Sequence, residues 1–191
     1  LVQRNNLLKQ IRFQNNLIET LEAWDIQLVK YGSEVIKYRE KFIKHLGEVC
    51  QKIHNKLTGG KEKILLEYDR DVGYDSYLTE LAKKRQKDLK YSTTTVGPHR
   101  DDLLFSIGDV DIRKYGSQGQ QRTSALSLKL AEIELVRKSI SDTPVLLLDD
   151  VLSELDSSRQ NYLLNNISDT QTIITLSLIH ISEPTRQAEI S

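Results

Sequence analysis

Val145-Leu146-Leu147-Leu148-Asp149-Asp150 is the stretch on which the fold turns: an unbroken apolar run closed by two aspartates. Such a run, bounded by polar residues, reads as a strand buried on both faces, the profile of a parallel sheet covered by helices. Thr172 to Leu176 reads as a second buried strand, and Ser157 to Ile167 between them reads as a helix. Strand, helix, strand in that order predicts an α/β sandwich with a mainly parallel sheet. Ligands in open sheets of this kind bind beyond the carboxyl ends of the strands, which is where Asp149 and Asp150 fall. One carboxylate there can hold Mg²⁺ directly or through water, because that hard cation takes oxygen ligands. The other can orient or deprotonate an attacking water. Two exposed aspartates capping a helix would give the same letters.

Upstream, Tyr115-Gly116-Ser117-Gln118-Gly119-Gln120-Gln121-Arg122 opens a helix predicted over Gln118 to Ser139. Its apolar residues Leu126, Leu128, Leu130, Ile133, Leu135 and Val136 cover more than one narrow stripe, as in a helix packed on a sheet. A helix N-terminus offers unpaired N–H groups and a positive dipole end, which suit an anion such as a γ-phosphate. Gly119 lets backbone approach closely, and Ser117 adds a hydroxyl donor. Alone, Ser-x-Gly-Gln is no more than a helix cap. Followed 30 residues later by an apolar strand ending in Asp-Asp, it becomes specific. Leu103 to Ile107 and Val110 to Ile112 are short strands around the turn residues Gly108-Asp109.

Further back the chain is helical. Residues 6–29 place Leu7, Ile11, Ile18, Leu21 and Leu28 on heptad positions, with Gln14 and Asp25 as polar exceptions. Residues 34–57 repeat the pattern, and Tyr31-Gly32-Ser33 between them reads as a helix-ending turn. The expectation is an antiparallel helical hairpin. Thr58-Gly59-Gly60 breaks the second helix, Ile64 to Tyr68 reads as a strand, and 75–90 as a helix carrying Lys83-Lys84-Arg85-Gln86-Lys87. Between Lys30 and Lys63 nine Lys/Arg face four Glu. Such a surplus is a solvated helix face or a contact for phosphates.

Bulk properties narrow the class. The chain has 191 residues, with 27 basic and 27 acidic side chains that cancel. Its single cysteine, Cys50, falls on the apolar face of a predicted helix, so the thiol reads as reduced and buried. No run of apolar residues is long enough to span a bilayer.

Three segments together resemble the RecF family of the ABC/SMC ATPases. Gly97-Pro98-His99-Arg100-Asp101-Asp102-Leu103 looks like a RecF-family segment, Ser117 to Gln120 like the ABC signature, and Val145 to Asp150 like Walker B. Ser153 to Asp156 resembles the D-loop, and Arg159 and Leu163 continue the pattern. Asp150 stands where most ABC ATPases have a glutamate; an Asp there is RecF-like. The likeness spans roughly residues 1 to 175 and is specific from 92 to 160.

That resemblance implies the C-terminal half of an ABC-type ATPase head with a helical-hairpin second lobe. Residues 1–91 would form the helical lobe, with its short strand near 64–68. Residues 92–176 would carry the signature, Walker B and D-loop. It implies Asp149 as Mg²⁺ ligand and Asp150 as the catalytic, water-orienting carboxylate. The signature Ser117, Gln118, Gly119 and Gln120 would face the γ-phosphate of ATP bound by a second subunit, with Asp156 at the dimer interface. It further implies a cytoplasmic, ATP-dependent homodimer that binds single-stranded and gapped duplex DNA in recombinational repair. RecR and RecO would be its partners in loading the recombinase.

Two expectations concern the ends. The chain starts at Leu1 and contains no methionine, so an N-terminal portion with the phosphate loop, G-x-x-x-x-G-K-[ST], is expected upstream. The nearest internal match, Asn55 to Glu62, has Asn55 for the first Gly and Glu62 for Ser/Thr, and is not one. No measurable ATP hydrolysis is therefore expected from this chain alone. Residues 177–191 depart from the family and read as adapter or vector sequence, so His180 is not taken as catalytic. His99 and Arg100 keep two readings: partners of Asp101 or Asp102, or lining of a nucleotide or DNA surface. Among rival functions, an SMC-like ATPase would need far longer arms. A Mg²⁺ nuclease using Asp149 and Asp150 would leave the Ser117 to Gln120 helix start unexplained, and a pure DNA scaffold would be indifferent to ATP.

Overall fold

The computed structural model describes residues 1–140, 145–152, 155–167 and 171–175. Its longest element is helix α2, Leu21–Leu57, 37 residues without a break. The turn expected at Tyr31-Gly32-Ser33 is absent, and Gly32 lies buried inside the helix. The reason is spatial. A Cβ on Gly32 would stand 2.6 Å from Cε1 of Tyr77, so glycine serves here for close approach. The break lies earlier: α1, Val2–Ile11, ends before a 3₁₀ turn at Asn15–Thr20 that leads into α2. Asn15 and Asn16 are poor helix formers, and they fall where the heptad reading had carried one helix through.

A buried cation ties α1 down. Arg4 is fully buried; its Nε donates to Asp25 of α2 at 2.6 Å and its Nη1 to Asp88 at 2.8 Å. Asp88 belongs to α3, Tyr77–Tyr91. Thr94 Oγ1 also accepts from Arg4 Nη1, at 2.7 Å, and Arg85 reaches Asp25 at 2.9 Å. Leu7, Leu8, Ile11 and Leu21 form a small apolar cluster beside this network.

Two sheets follow. Strand β1, Ile64–Asp69, pairs antiparallel with β2, Asp102–Ile107, from Ile64↔Ile107 to Asp69↔Asp102. β3, Val110–Asp111, pairs antiparallel with β2 across a turn in which Gly108 has φ 57°. A two-residue connection can join only antiparallel strands. Among the described residues, parallel pairing is confined to β4, Leu146–Asp149, and β5, Thr172–Thr175, from Leu146↔Thr172 to Asp149↔Thr175. The sheet read as mainly parallel is thus a parallel pair beside an antiparallel three-stranded sheet.

The main core draws on α2, β1, β4 and two further helices, α5 (Gln118–Ile140) and α6 (Ser157–Asn166). Leu46, Cys50, Leu126, Leu130, Leu148 and Leu163 meet there. Each buried Leu contributes about 1.5–3 kcal/mol. β4 is buried on one face only: Leu148 is 8% exposed but Leu147 is 70%, and Ile173 of β5 is 54%. The described elements all lie on one side of that pair, which is why the two-sided burial read from the sequence is not met.

Candidate functional site

The helix start at Ser117 is built by its own sequence. A short helix, α4 (Ile112–Tyr115), is capped by Asp111, whose side chain accepts from Arg113 N–H. Gly116 follows, where a Cβ would lie 2.6 Å from the Ile112 carbonyl oxygen; only glycine lets the chain turn so tightly. Ser117 and Gln120 then cap α5 reciprocally. Gln120 N–H donates to Ser117 Oγ at 3.2 Å, and Ser117 N–H donates to Gln120 Oε1 at 3.0 Å. This is the capping box, which satisfies two of the helix's free donors.

What the box leaves over matters more. The N–H groups of Gln118 and Gly119 have no acceptor among the described residues. Ser117, Gln118 and Gly119 are all exposed. Around Gly119 a Cβ would meet only Ser117 Oγ, at 4.0 Å. The positive end of a 23-residue helix therefore faces open space.

Asp149 sits exposed at the end of β4. Its Oδ1 accepts from the hydroxyl of Thr175, its register partner on β5. Asp150 follows with φ 53°, and its N–H donates to the Thr175 carbonyl at 3.2 Å. Asp156 caps α6: its Oδ1 accepts from Arg159 N–H at 3.0 Å and its Oδ2 pairs with Arg159 Nη1 at 2.7 Å. The Arg159 N–H, then the Arg159 charge, hold the Asp156 carboxyl below the usual carboxylate range. Ser153 and Glu154 of the D-loop-like stretch, and His180, lie outside the described residues.

No cluster of three or more His, Cys, Asp or Glu that could hold a metal occurs among the described residues. Asp149 and Asp150 nevertheless suit Mg²⁺, which commonly takes one or two protein carboxylates and completes its shell with phosphate and water.

The segment 56–62 is the part of the site that sequence reading missed. A cleft of ≈ 400 Å³ is lined by Lys56, Lys61 and Glu62 on one side and Asp156, Ser158 and Arg159 on the other. Glu62 also accepts from Gln120 Nε2 at 3.0 Å. This stretch thus lies between the signature-like helix start and the D-loop-like cap. Lys56 and Asp156 line the cleft from positions a hundred apart and Gln120 meets Glu62 across 58, and no local pattern announces either.

Gly97 to Asp102 proves to be a lock between elements. Asp101 accepts from the Tyr68 hydroxyl, from Asp71 N–H at 3.0 Å and from Arg39 Nη1 at 3.1 Å. Asp102 forms a two-pronged pair with Arg113, at 3.0 Å on each prong. Neither aspartate pairs with His99 or Arg100. His99 Nε2 lies 3.1 Å from the Thr94 carbonyl, and its ring lines a cleft with Phe42, Leu103 and Leu128. Arg100 is exposed.

Comparison with known proteins decides the family. The chain is 63% identical over 175 residues to the DNA replication and repair protein RecF of Agathobacter rectalis, covering 92% of this chain and 48% of the relative. The chain belongs to the RecF family. RecF of Lachnospira eligens is 59% identical over 175 residues, covering 91% of this chain and 48% of its own length. The chain spans about half the length of the curated relatives it matches. A solved structure of the recombination mediator protein RecF-ATP in the RecFOR pathway superposes with a TM-score of 0.83 at 36% identity, covering 95% of this chain and 51% of that one. The α/β fold with its parallel pair is thus the RecF fold. No protein-family model matches the chain.

Proposed function

We propose that the chain supplies the signature-bearing side of an ATP-dependent, DNA-binding protein of recombinational repair and replication. It acts as a homodimer in which the α5 start of one copy meets the triphosphate held by the other. The observation that carries this reading is the open space before Gly119, faced by two free N–H groups and by a serine hydroxyl whose own hydrogen is uncommitted. An anion from outside the chain fits there, because N–H donors and dipole act together. The kinship with RecF-ATP supports ATP as the source of that anion.

In this reading Ser117 and Gly119 touch the γ-phosphate, Gln118 and Gln120 complete the helix start, and Asp156 lies where the copies meet. Asp149 would hold Mg²⁺, with Thr175 fixing its carboxylate, and Asp150 would orient the attacking water. Bound there, the ion would neutralise phosphate charge. By family likeness, gapped and single-stranded DNA, RecO and RecR are the partners, in the cytoplasm. No observation favours a nuclease.

The test is sedimentation of the complete gene product with ATPγS and Mg²⁺. Gly119→Asp has room in the fold, and an acid in the first turn suits a helix; the added charge should abolish nucleotide-dependent self-association without lowering the unfolding temperature. Self-association equal to that of the unsubstituted protein would overturn the reading.

A further inference from the structure

Helix α2 ends at Leu57, and Gly59 (φ 62°) and Gly60 (φ 79°) reverse the chain. Gly60 N–H closes the turn on the Asn55 carbonyl at 2.8 Å. The reversal carries Glu62 back beside His54 and against the first turn of α5. Glu62 Oε1 accepts from Gln120 Nε2 at 3.0 Å, while Gln120 Oε1 accepts from Ser117 N–H at 3.0 Å. Both ends of the Gln120 amide are therefore held, one by the motif and one from outside it.

Glu62 is itself anchored. Its Oε2 lies 3.3 Å from Nε2 of the fully buried His54. His54 Nδ1 lies 3.1 Å from Ser127 Oγ, and Ser127 Oγ donates to the Thr123 carbonyl at 2.7 Å. Thr123 Oγ1 donates in turn to the Gly119 carbonyl at 2.7 Å. The contacts form a ring that begins and ends on the signature-like turn.

The hydrogens in that ring are countable. Ser127 spends its only hydrogen on Thr123, so His54 Nδ1 must donate to Ser127. A neutral imidazole would then turn a bare Nε2 lone pair toward a carboxylate. The contact closes only with one further proton between His54 Nε2 and Glu62 Oε2. Three groups face His54: Ser127 from α5, Glu62 from the turn and Arg159 from α6. Burial, the largest influence, and the Arg159 charge oppose the imidazolium, Glu62 favours it, and the balance holds His54 below the ordinary histidine value. With the proton in place the His54–Glu62 pair is neutral as a unit, so a carboxylate can stand beside a helix start that receives phosphate.

We propose that Glu62 is a positioning residue for the signature-like turn, holding Gln120 through a proton-linked contact with His54. The proposal rests on the reading of α5 given above. Glu62→Gln separates its parts. A glutamine there accepts from Gln120 through its oxygen and donates to a neutral His54 Nε2 through its amide, so it keeps the ring and dispenses with the extra proton. Glu62→Ala keeps neither.

The experiment measures nucleotide-dependent self-association of the complete gene product from about pH 5 to about pH 8, a span that reaches below the ordinary histidine value because burial lowers His54. The unsubstituted protein should weaken as pH rises and the shared proton leaves. Glu62→Gln should retain the low-pH strength across the range, and Glu62→Ala should be about tenfold weaker throughout, the size of one lost hydrogen bond to a charged group. Glu62→Ala behaving as the unsubstituted protein, or Glu62→Gln as weak as Glu62→Ala, overturns the proposal. An effect of Gly119→Asp beside a silent Glu62→Ala removes this proposal alone; a silent Gly119→Asp removes the site reading. Nitrogen NMR of His54 needs no nucleotide: at the acid end of that range it should find Nε2 protonated in the unsubstituted protein and bare in Glu62→Gln. A bare Nε2 in both sinks the shared proton.

Discussion

Gly32, in the middle of a 37-residue helix, faces the ring of Tyr77 with no room for a methyl group between them. Tyr77 is fully buried and is pressed from the other side by Gly97, whose φ is 131°. Two glycines thus make the slot that joins α3 to α2.

Gly32→Ala should therefore lower stability although alanine favours a helix by about 1 kcal/mol. Overpacking costs about 1–3 kcal/mol, and the ring cannot swing away from a Cβ at 2.6 Å. Gly47 in the same helix is the control, since a Cβ there stands at an ordinary 3.4 Å from Leu66. Urea titration of both variants should show Gly32→Ala destabilised and Gly47→Ala neutral or stabilised. A stabilised Gly32→Ala would refute the slot.

Removing Arg4 should be among the costliest single changes. Arg4→Ala leaves Asp88 buried without its cation and Asp25 with Arg85 alone, a loss of about 3–5 kcal/mol. The exposed Arg70–Glu40 pair should yield under about 1 kcal/mol on Arg70→Ala. Urea midpoints of the two variants decide between them.

How far the sequence alone reached follows from where each signal lies. The α5 start and the β4 end were legible because their chemistry is local: a cap written Ser-x-x-Gln and an apolar run closed by Asp-Asp. The helix break was misplaced because a glycine that ends a helix and one that makes room for a ring look identical. Only Tyr77, 45 residues on, distinguishes them. Arg4 carries no local signal, because its acids sit 21 and 84 positions away. Glu62 registered only as the wrong residue for a phosphate loop, since its place beside Gln120 depends on the reversal at Gly59-Gly60.

Cys50 should be chemically silent. Burial pushes its thiol up to about 11, so the nucleophilic thiolate is scarce at neutral pH. A chromogenic disulfide reagent should react only as fast as the protein opens, with the rate rising in urea. Prompt reaction in buffer would contradict the packing of α2 on α5.

Asp156 should show its cap through pH. Its carboxyl is depressed in the folded state, so its contribution is present above the ordinary Asp value and is lost as pH falls through the lowered one. Asp156→Ala should cost about 1 kcal/mol at neutral pH, with the penalty shrinking below about pH 4. Urea midpoints at the two pH values measure it; a penalty that ignores pH would mean the carboxylate is not the cap.

Asp150 has φ 53°, a conformation shared with Ser92 alone among the described residues that are not glycine. Backbone of that hand is entered readily by Gly, Asn and Asp and reluctantly by longer side chains. The turn after β4 thereby limits its own alphabet, and of the letters it admits only Asp is an acid. A substitution there keeps either the backbone or the acid: Asn and Gly fit the turn and lose the carboxylate, whereas Glu keeps a carboxylate on a side chain the turn takes reluctantly.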